Sequence, residues 1–546
     1  MHVAAAVGRT LAGLGVDHVF GVVGSGNFHL TNALVDAGAR FVAARHEGGA
    51  ATMADAYARM SGRVAAVSVH QGCGLTNAMT GIAEAAKSRT PLVVLAADVT
   101  EPKSNFYVDQ AALATSVGAT PMRVTSAADA VQVAAAAYDT AVRDRRTVVL
   151  NLPLPVQAEQ AGGGLSEPIR PLPPAVEPSA ADLDALVAAL RRAQRPVFVA
   201  GRGARLPGSR AALEELAGHS GALLATSAVA KGLFNGSPWS LDVSGGFATP
   251  LAVELIQDAD LVVGWGCALN MWTMRHGTLI APDATVVQVD VDESALGAHR
   301  DIHLGVRGSV VEAAKAAGTA VADGEAPTGY RTDAVRQRIA AEGRWRDVPY
   351  DDESTGDHID PRTLTVALDD LLPADRVVAV DSGNFMGYPS MFLSVPDEFG
   401  FCFTQAFQSI GLGLATAVGA ALAQPQRLPV AALGDGGALM SAAELETVAR
   451  LRLPMVAVVY NDAAYGAEVH HFGPDGHELA TVRFPDTDIA AVARGYGWQA
   501  ITVRQPADLA PVSGWLAGQR GEPLLIDAKV PSAHGSWWLE EAFRGH

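Results

Sequence analysis

Three cysteines in 546 residues, Cys73, Cys267 and Cys402, are too few and too scattered for a disulfide framework, and none stands at C-x-x-C metal spacing. A reducing compartment, the cytoplasm, is the expectation. Positive charge is scarce too. The balance of 40 Lys+Arg against 58 Asp+Glu leaves a formal charge of −18, the wrong sign for a nucleic-acid or anionic-membrane partner. The N-terminus carries Arg9 and Asp17 within its apolar pattern and has no cationic start with a cleavage site, so no secretory signal is expected. No long apolar run is clean. The longest uncharged stretch, 399–424, is broken by glutamines and glycines and reads as buried strand, turn and core helix rather than a membrane span.

Aromatics make up only 6% of the chain, whereas 49% is apolar and 56 residues are glycine, the balance of helices packed closely on parallel sheets. The length predicts about three domains. β-Branched runs alternate with Ala-rich helical segments throughout, which predicts an α/β fold of three consecutive doubly wound parallel-sheet domains. Strands are expected at 18–23, 64–69, 91–97 and 147–153, at 196–201, 261–266 and 285–292, and at 377–383, 429–436, 455–462 and 523–530. The Gly/Pro-rich stretch Ala161–Ser179 and the polar stretch Asp323–Pro361 read as linkers. The expected domains are therefore 1–156, 180–320 and 360–546.

The sharpest chemical signal is Gly434-Asp435-Gly436-Gly437, where one strand turns into a helix (ALMSAAELETVARL), followed by a second strand ending in Asn461-Asp462. A Gly-rich strand-to-helix turn offers backbone N–H groups to phosphate, and a neighbouring carboxylate can hold the hard cation that neutralises a diphosphate. Taken alone, Gly-Asp-Gly fits an ordinary left-handed turn as well. Together with Asn461, the segment resembles the diphosphate/Mg²⁺ motif of thiamine-diphosphate (ThDP) enzymes. The resemblance implies Mg²⁺ held by Asp435, Asn461 and the carbonyl of Ala463.

Two further segments resemble the same family. In RHEGGAATMADAYA the matching glutamate is Glu47, whose implied role is to hydrogen-bond the cofactor pyrimidine; the charge-poor helix around it predicts burial and a raised carboxyl pKa. In TQAFQSIGLGLATAVGAAL the bulky residue that would bend the cofactor is Ile410, which reads equally as a core isoleucine. The resemblance also places Ser382, Gly383, Asn384, Gln408, Tyr465 and Gly466 on the cofactor, and its three domains are the pyrimidine-binding, central and diphosphate-binding domains.

The substrate side departs from acetolactate-synthase-like sequences. His70-Gln71-Gly72-Cys73-Gly74 puts a histidine at a strand end, similar to benzoylformate decarboxylase, although such a histidine is also commonly a satisfied polar residue. Glu468, seven residues after Asn461, matches a glutamate of pyruvate and indolepyruvate decarboxylases. His470 and His471 are expected on a surface or lid helix without a catalytic role. In the central domain, the segment from Trp265 to Leu279 is unlike a flavin-contacting segment and Trp272 would crowd such a groove, so FAD is not expected. The tail Pro531–His546 either lines an acyl pocket or packs Trp537 and Trp538 on the core.

The resemblance implies a ThDP- and Mg²⁺-dependent non-oxidative 2-oxo acid decarboxylase or carboligase working through a cofactor-bound enamine. Its partners would be a small 2-oxo acid and an aldehyde or keto acceptor. It would be a homodimer or homotetramer with the site between subunits. The alternatives are an acetolactate synthase, a flavin-dependent ThDP oxidase, or a ThDP-fold protein that binds without catalysing.

Overall fold

The computed structural model describes residues 1–162, 174–323, 329–518, 520–532 and 535–539. It contains three six-stranded sheets with every strand pair parallel. The first sheet runs, in spatial order, Arg40–Ala43, His18–Gly21, Ala65–Val69, Leu92–Asp98, Thr147–Pro153, Thr120–Arg123. The central sheet runs Leu304–Arg307, Thr285–Asp290, Leu261–Trp265, Pro196–Ala200, Leu223–Thr226, Ser240–Val243. The third runs Phe401–Phe403, Arg376–Val380, Leu428–Gly434, Val456–Asn461, Leu524–Lys529, Gln499–Val503. The α/β class and the three parallel sheets are those the sequence predicts. The first and third sheets also share one connection order, with their second, first, third, fourth, sixth and fifth strands side by side.

Central strands such as Leu92–Asp98 and Val456–Asn461 are buried along their whole length, as parallel strands covered on both faces must be. The six strands not expected from sequence (Arg40–Ala43, Thr120–Arg123, Leu223–Thr226, Ser240–Val243, Leu304–Arg307 and Gln499–Val503) are four or five residues long, and most of them are half-exposed. Their apolar signal is correspondingly short. The first and third domains pack directly on each other through the helices Glu47–Ser61 and Gly413–Ala423. Gly419 lies so close to the Met53 carbonyl oxygen that a Cβ would sit 2.1 Å from it. One hydrophobic cluster accordingly runs from Val42 and Met53 into Leu414, Val418 and Leu433.

Two expectations are corrected. The single helix expected after Gly437 is two, Asp435–Met440 and Glu444–Leu451, with the break at Ser441, whose hydroxyl donates back to the Gly437 carbonyl at 2.8 Å. The stretch read as a polar linker holds a ten-residue helix, Asp333–Glu342, capped by Thr332; Ile339 is its one buried residue, so no apolar pattern announced it. Of the other expected linker, residues 163–173 lie outside the described residues, as do 324–328 and, in the tail, 533–534 and 540–546. Among the described residues no helix is long and apolar enough to cross a membrane.

Candidate active site

In the third sheet the strand order reverses between Arg376–Val380 and Leu428–Gly434, and a crevice at such a reversal is where open α/β sheets take ligands. The loops leaving these strands carry Asp381–Asn384 and Gly434–Gly437, and Val456–Asn461 beside them leads to Ala463–Gly466. They wall a cavity of about 1080 Å³ lined by Ser382, Gly383, Asn384, Gln408, Ile410, Gly434, Asp435, Gly436, Gly437, Tyr465, Gly466 and Glu468. Glycine is required at two of these positions: a Cβ on Gly437 would meet Asp381 Oδ2 at 2.2 Å, and one on Gly466 would meet Asp462 Oδ2 at 2.4 Å. Asp381 organises the floor. Its carboxylate accepts the N–H groups of Ser382 (2.8 Å), Gly411 (3.0 Å) and Leu412 (3.2 Å), which ties the Ile410 loop to the Asp381–Asn384 loop.

Asp435 and Asp462 hydrogen-bond each other at the mouth of that turn. Burial pushes both carboxyls above the usual carboxylate range, and for Asp462 the neighbouring Asp435 charge adds to the shift. Asn461 is buried, with its Nδ2 donating to Asp527 Oδ1 at 2.9 Å and its Oδ1 turned toward the Ala463 N–H at 3.2 Å. Lys529 pairs with Asp527 at 3.1 Å and so fixes that orientation. Ala463 has φ +55°, a left-handed conformation costly for a residue with a Cβ; its carbonyl accepts the Phe484 N–H at 2.8 Å and keeps a second lone pair. The carboxyls of Asp435 and Asp462, in contact with each other, with the amide oxygen of Asn461 and the carbonyl of Ala463 on the neighbouring residues, are oxygen donors of the kind a hard cation such as Mg²⁺ takes. Sequence reasoning gave Asp462 no role in the site.

The first domain carries a separate constellation. The helix Glu47–Ser61 starts at a cap in which His46 Nδ1 accepts the Gly48 N–H at 3.0 Å. Its Ala50–Ala58 body is buried as expected, but Glu47 lies in the first turn and is only half-buried in this chain, where a buried carboxyl was expected. Asn77 Nδ2 donates to Glu47 Oε2 at 3.0 Å. His70 stands one residue past the strand Ala65–Val69. Its Nδ1 lies 3.2 Å from the Gln71 carbonyl, which can only accept, so that nitrogen carries the proton; Nε2 then faces Ser25 Oγ at 3.4 Å. The Phe106 ring flanks it, with centroids 5.4 Å apart. Both residues approach Gly74: a Cβ there would lie 3.2 Å from His70 Cβ and 3.5 Å from Glu47 Oε1. Ser25 and Asn77 are further residues of this constellation that single-residue motifs did not single out.

Glu47 and His70 are not among the residues lining the large cavity, whereas Glu468, half-buried in the first turn of the helix Gly466–Phe472, is. His470 and His471 follow on that same short helix. The cavity continues along the carboxyl ends of the central sheet past Gly201, Arg202, Gly266 and Trp272. Trp538 lines it as well while being 2% exposed in the third-domain core, so this part of the tail packs on the core.

Three family descriptions match in chain order. "Thiamine pyrophosphate enzyme, N-terminal TPP binding domain" covers residues 1–118, the central domain of the same enzymes 183–317, and their C-terminal TPP binding domain 381–528. The chain belongs to the thiamine-pyrophosphate enzymes. Relatives of this thiamine-pyrophosphate enzyme include a sulfoacetaldehyde acetyltransferase of Alcaligenes xylosoxydans, 27% identical over 92% of this chain and 88% of that one. A probable 2-ketoarginine decarboxylase of Pseudomonas aeruginosa is 29% identical over 92% and 89%, and the acetolactate synthase isozyme 2 large subunit of Escherichia coli is 27% identical over 92% and 91%. In fold, the chain is similar to a ThDP-dependent 4-hydroxybenzoylformate decarboxylase of Rhodococcus jostii, with TM-score 0.81 at 22% identity over 97% of this chain and 99% of that one.

Proposed function

We propose that this thiamine-pyrophosphate enzyme is a Mg²⁺-dependent, non-oxidative 2-oxo acid decarboxylase or carboligase. The observation that carries the reading is that Glu47 Oε1 and the Cβ of His70 both come close to Gly74, at 3.5 and 3.2 Å from the place its Cβ would take, with Asn77 bonded to the carboxyl and Ser25 beside the imidazole. A proton-handling pair of that kind suits a reaction in which protons leave and return near one carbon. Bound here, the cofactor would supply the carbanion that adds to a keto carbon and takes up the electron pair released with carbon dioxide.

In this reading Glu47 hydrogen-bonds the pyrimidine. Asp435, Asn461 and the Ala463 carbonyl hold Mg²⁺. Ser382–Asn384, Gln408, Gly434–Gly437, Tyr465 and Gly466 receive the diphosphate side, and Ile410 supports the bend. His70 and Glu468 move protons at the substrate. Since Glu47 and His70 do not line the cavity of their own chain, the working form is a homodimer or homotetramer in which one copy's first domain closes another copy's third. The acidic chain is assigned to the cytoplasm.

The likeness to acetolactate synthase and to an acetyltransferase along more than nine-tenths of the chain favours a second outcome, transfer of the acyl unit to a second carbonyl compound. Glu47→Gln tests the reading as a whole: cofactor binding is retained and turnover is lost, and near-wild-type turnover overturns it. A screen of 2-oxo acids for carbon dioxide release, with and without an aldehyde acceptor and with the products identified, separates decarboxylation from ligation.

A further inference from the structure

The shared connection order of the first and third sheets extends to one pair of buried side chains. In the first domain, the helix Cys73–Lys87 after the third strand carries Glu84, which is fully buried. Glu84 Oε1 accepts the N–H of Ala406 at 3.0 Å, and Oε2 accepts that of Phe407 at 2.6 Å. Both donors belong to the third domain. In that domain, the helix Glu444–Leu451, also after the third strand of its sheet, begins with the buried Glu444. Glu444 Oε1 accepts the N–H groups of Arg45 and His46, each at 3.1 Å, and both belong to the first domain.

The receiving segments match as well. Arg45–His46 leaves the edge strand Arg40–Ala43, and Ala406–Phe407 leaves the edge strand Phe401–Phe403. Each carboxylate is itself held, Glu84 by Arg59 Nη2 at 2.7 Å and Glu444 by the Thr447 hydroxyl at 2.7 Å. Gly49 keeps the second clamp tight, since a Cβ there would lie 2.5 Å from Glu444 Oε1. A buried carboxylate that takes two adjacent N–H groups makes charge-assisted bonds and satisfies donors that the sheet edge leaves unpaired.

We propose that Glu84 and Glu444 are reciprocal positioning residues, each fixing from one domain the backbone of the other that carries a cofactor-facing side chain. Glu444 holds the two residues before Glu47. Glu84 holds the two residues before Gln408, which is itself at φ +61°, and so sets the approach to Ile410. Their importance for catalysis rests on the reading that Glu47 and Ile410 flank ThDP; the clamps themselves do not.

The test is amide hydrogen–deuterium exchange on the full-length, ligand-free chain, followed by solvent exchange of the reactive carbon-bound proton of ThDP in the loaded protein. Glu84→Gln is expected to accelerate exchange at Ala406 and Phe407 at least about tenfold and to leave 45–47 unchanged, and Glu444→Gln to do the reverse. In the loaded protein Glu444→Gln slows exchange of the cofactor proton with ThDP affinity kept, and Glu84→Gln weakens ThDP binding. Glu84→Asp and Glu444→Asp, which keep the charge, restore part of the protection and serve where a Gln variant does not fold. Unchanged amide exchange at both segments, or acceleration spread through both domains, overturns the proposal. So do local amide changes that leave both cofactor readouts at wild-type values. Failure of the underlying reading shows separately, as normal cofactor-proton exchange in Glu47→Gln.

Discussion

Asn77 Nδ2 donates to Glu47 Oε2 across 3.0 Å, from one first-domain helix to the start of another. A half-exposed carboxylate on a helix N-terminus keeps several rotamers open, and this bond selects one. Asn77→Ala therefore leaves the fold intact and lowers kcat by about tenfold, the worth of one hydrogen bond to a charged group. Asn77→Asp, which sets two carboxylates together, lowers it further. Steady-state kinetics beside circular dichroism checks both, and an unchanged kcat in Asn77→Ala removes the orienting role.

Asp462 pulls in opposite directions in the cation-free and cation-bound chain. With Asp435 it makes a crowded carboxyl pair whose ionisation burial opposes, so Asp462→Asn, which removes one titrating group, should raise the melting temperature in EDTA at neutral pH, by a shift worth about 1 kcal/mol. The same change removes a carboxylate beside the proposed Mg²⁺ ligands and should weaken Mg²⁺-dependent retention of ThDP. Thermal scans in EDTA and in Mg²⁺–ThDP read the two effects separately.

Burial pushes the Asp381 carboxyl up to about 6 from 3.8, against the pull of the Ser382, Gly411 and Leu412 N–H groups. The folded value lies above the unfolded one, so the native chain binds the extra proton between them. The stability from this group is full below about 3.8 and lost as pH rises to about 6. Asp381→Asn should flatten that part of the stability–pH curve by on the order of 3 kcal/mol. Urea unfolding across this range, without added metal, shows whether the slope persists.

Trp538 is 2% exposed, stands edge-on to Tyr388 at 5.0 Å between centroids, and leaves Gly387 no room for a Cβ. Trp538→Ala costs about 3–5 kcal/mol and enlarges the cavity that the residue lines. Trp538→Phe keeps most of the stability and should shift kcat/KM toward bulkier 2-oxo acids. A ratio of kcat/KM values unchanged from wild type would assign Trp538 to the core alone.

The parts of the site legible in sequence are those whose chemistry is local. Asp435 sits in a Gly-rich turn directly after one strand, Asn461 ends the next, and Glu47 opens a charge-poor helix whose body is indeed buried. Asp462 was visible as a letter and not as a neighbour, since its contact with Asp435 depends on two strands lying side by side. Glu84 and Glu444 were silent for a stronger reason: their N–H donors lie more than 300 residues away in the chain, beyond any periodicity or motif. The edge strands escaped because four or five residues, mostly half-exposed, carry little apolar pattern.

The helix that begins at Glu47 has its covering partner at Gly413–Ala423, about 360 residues further along. During synthesis the apolar face around Met53 and Ala56 therefore leaves the ribosome long before anything native can cover it, for roughly 20–70 s at usual elongation rates. The central sheet is made and can fold within that interval. The newly made first domain is thus a natural client for a holding chaperone, and the chain acquires its catalytic core only when its last third has emerged.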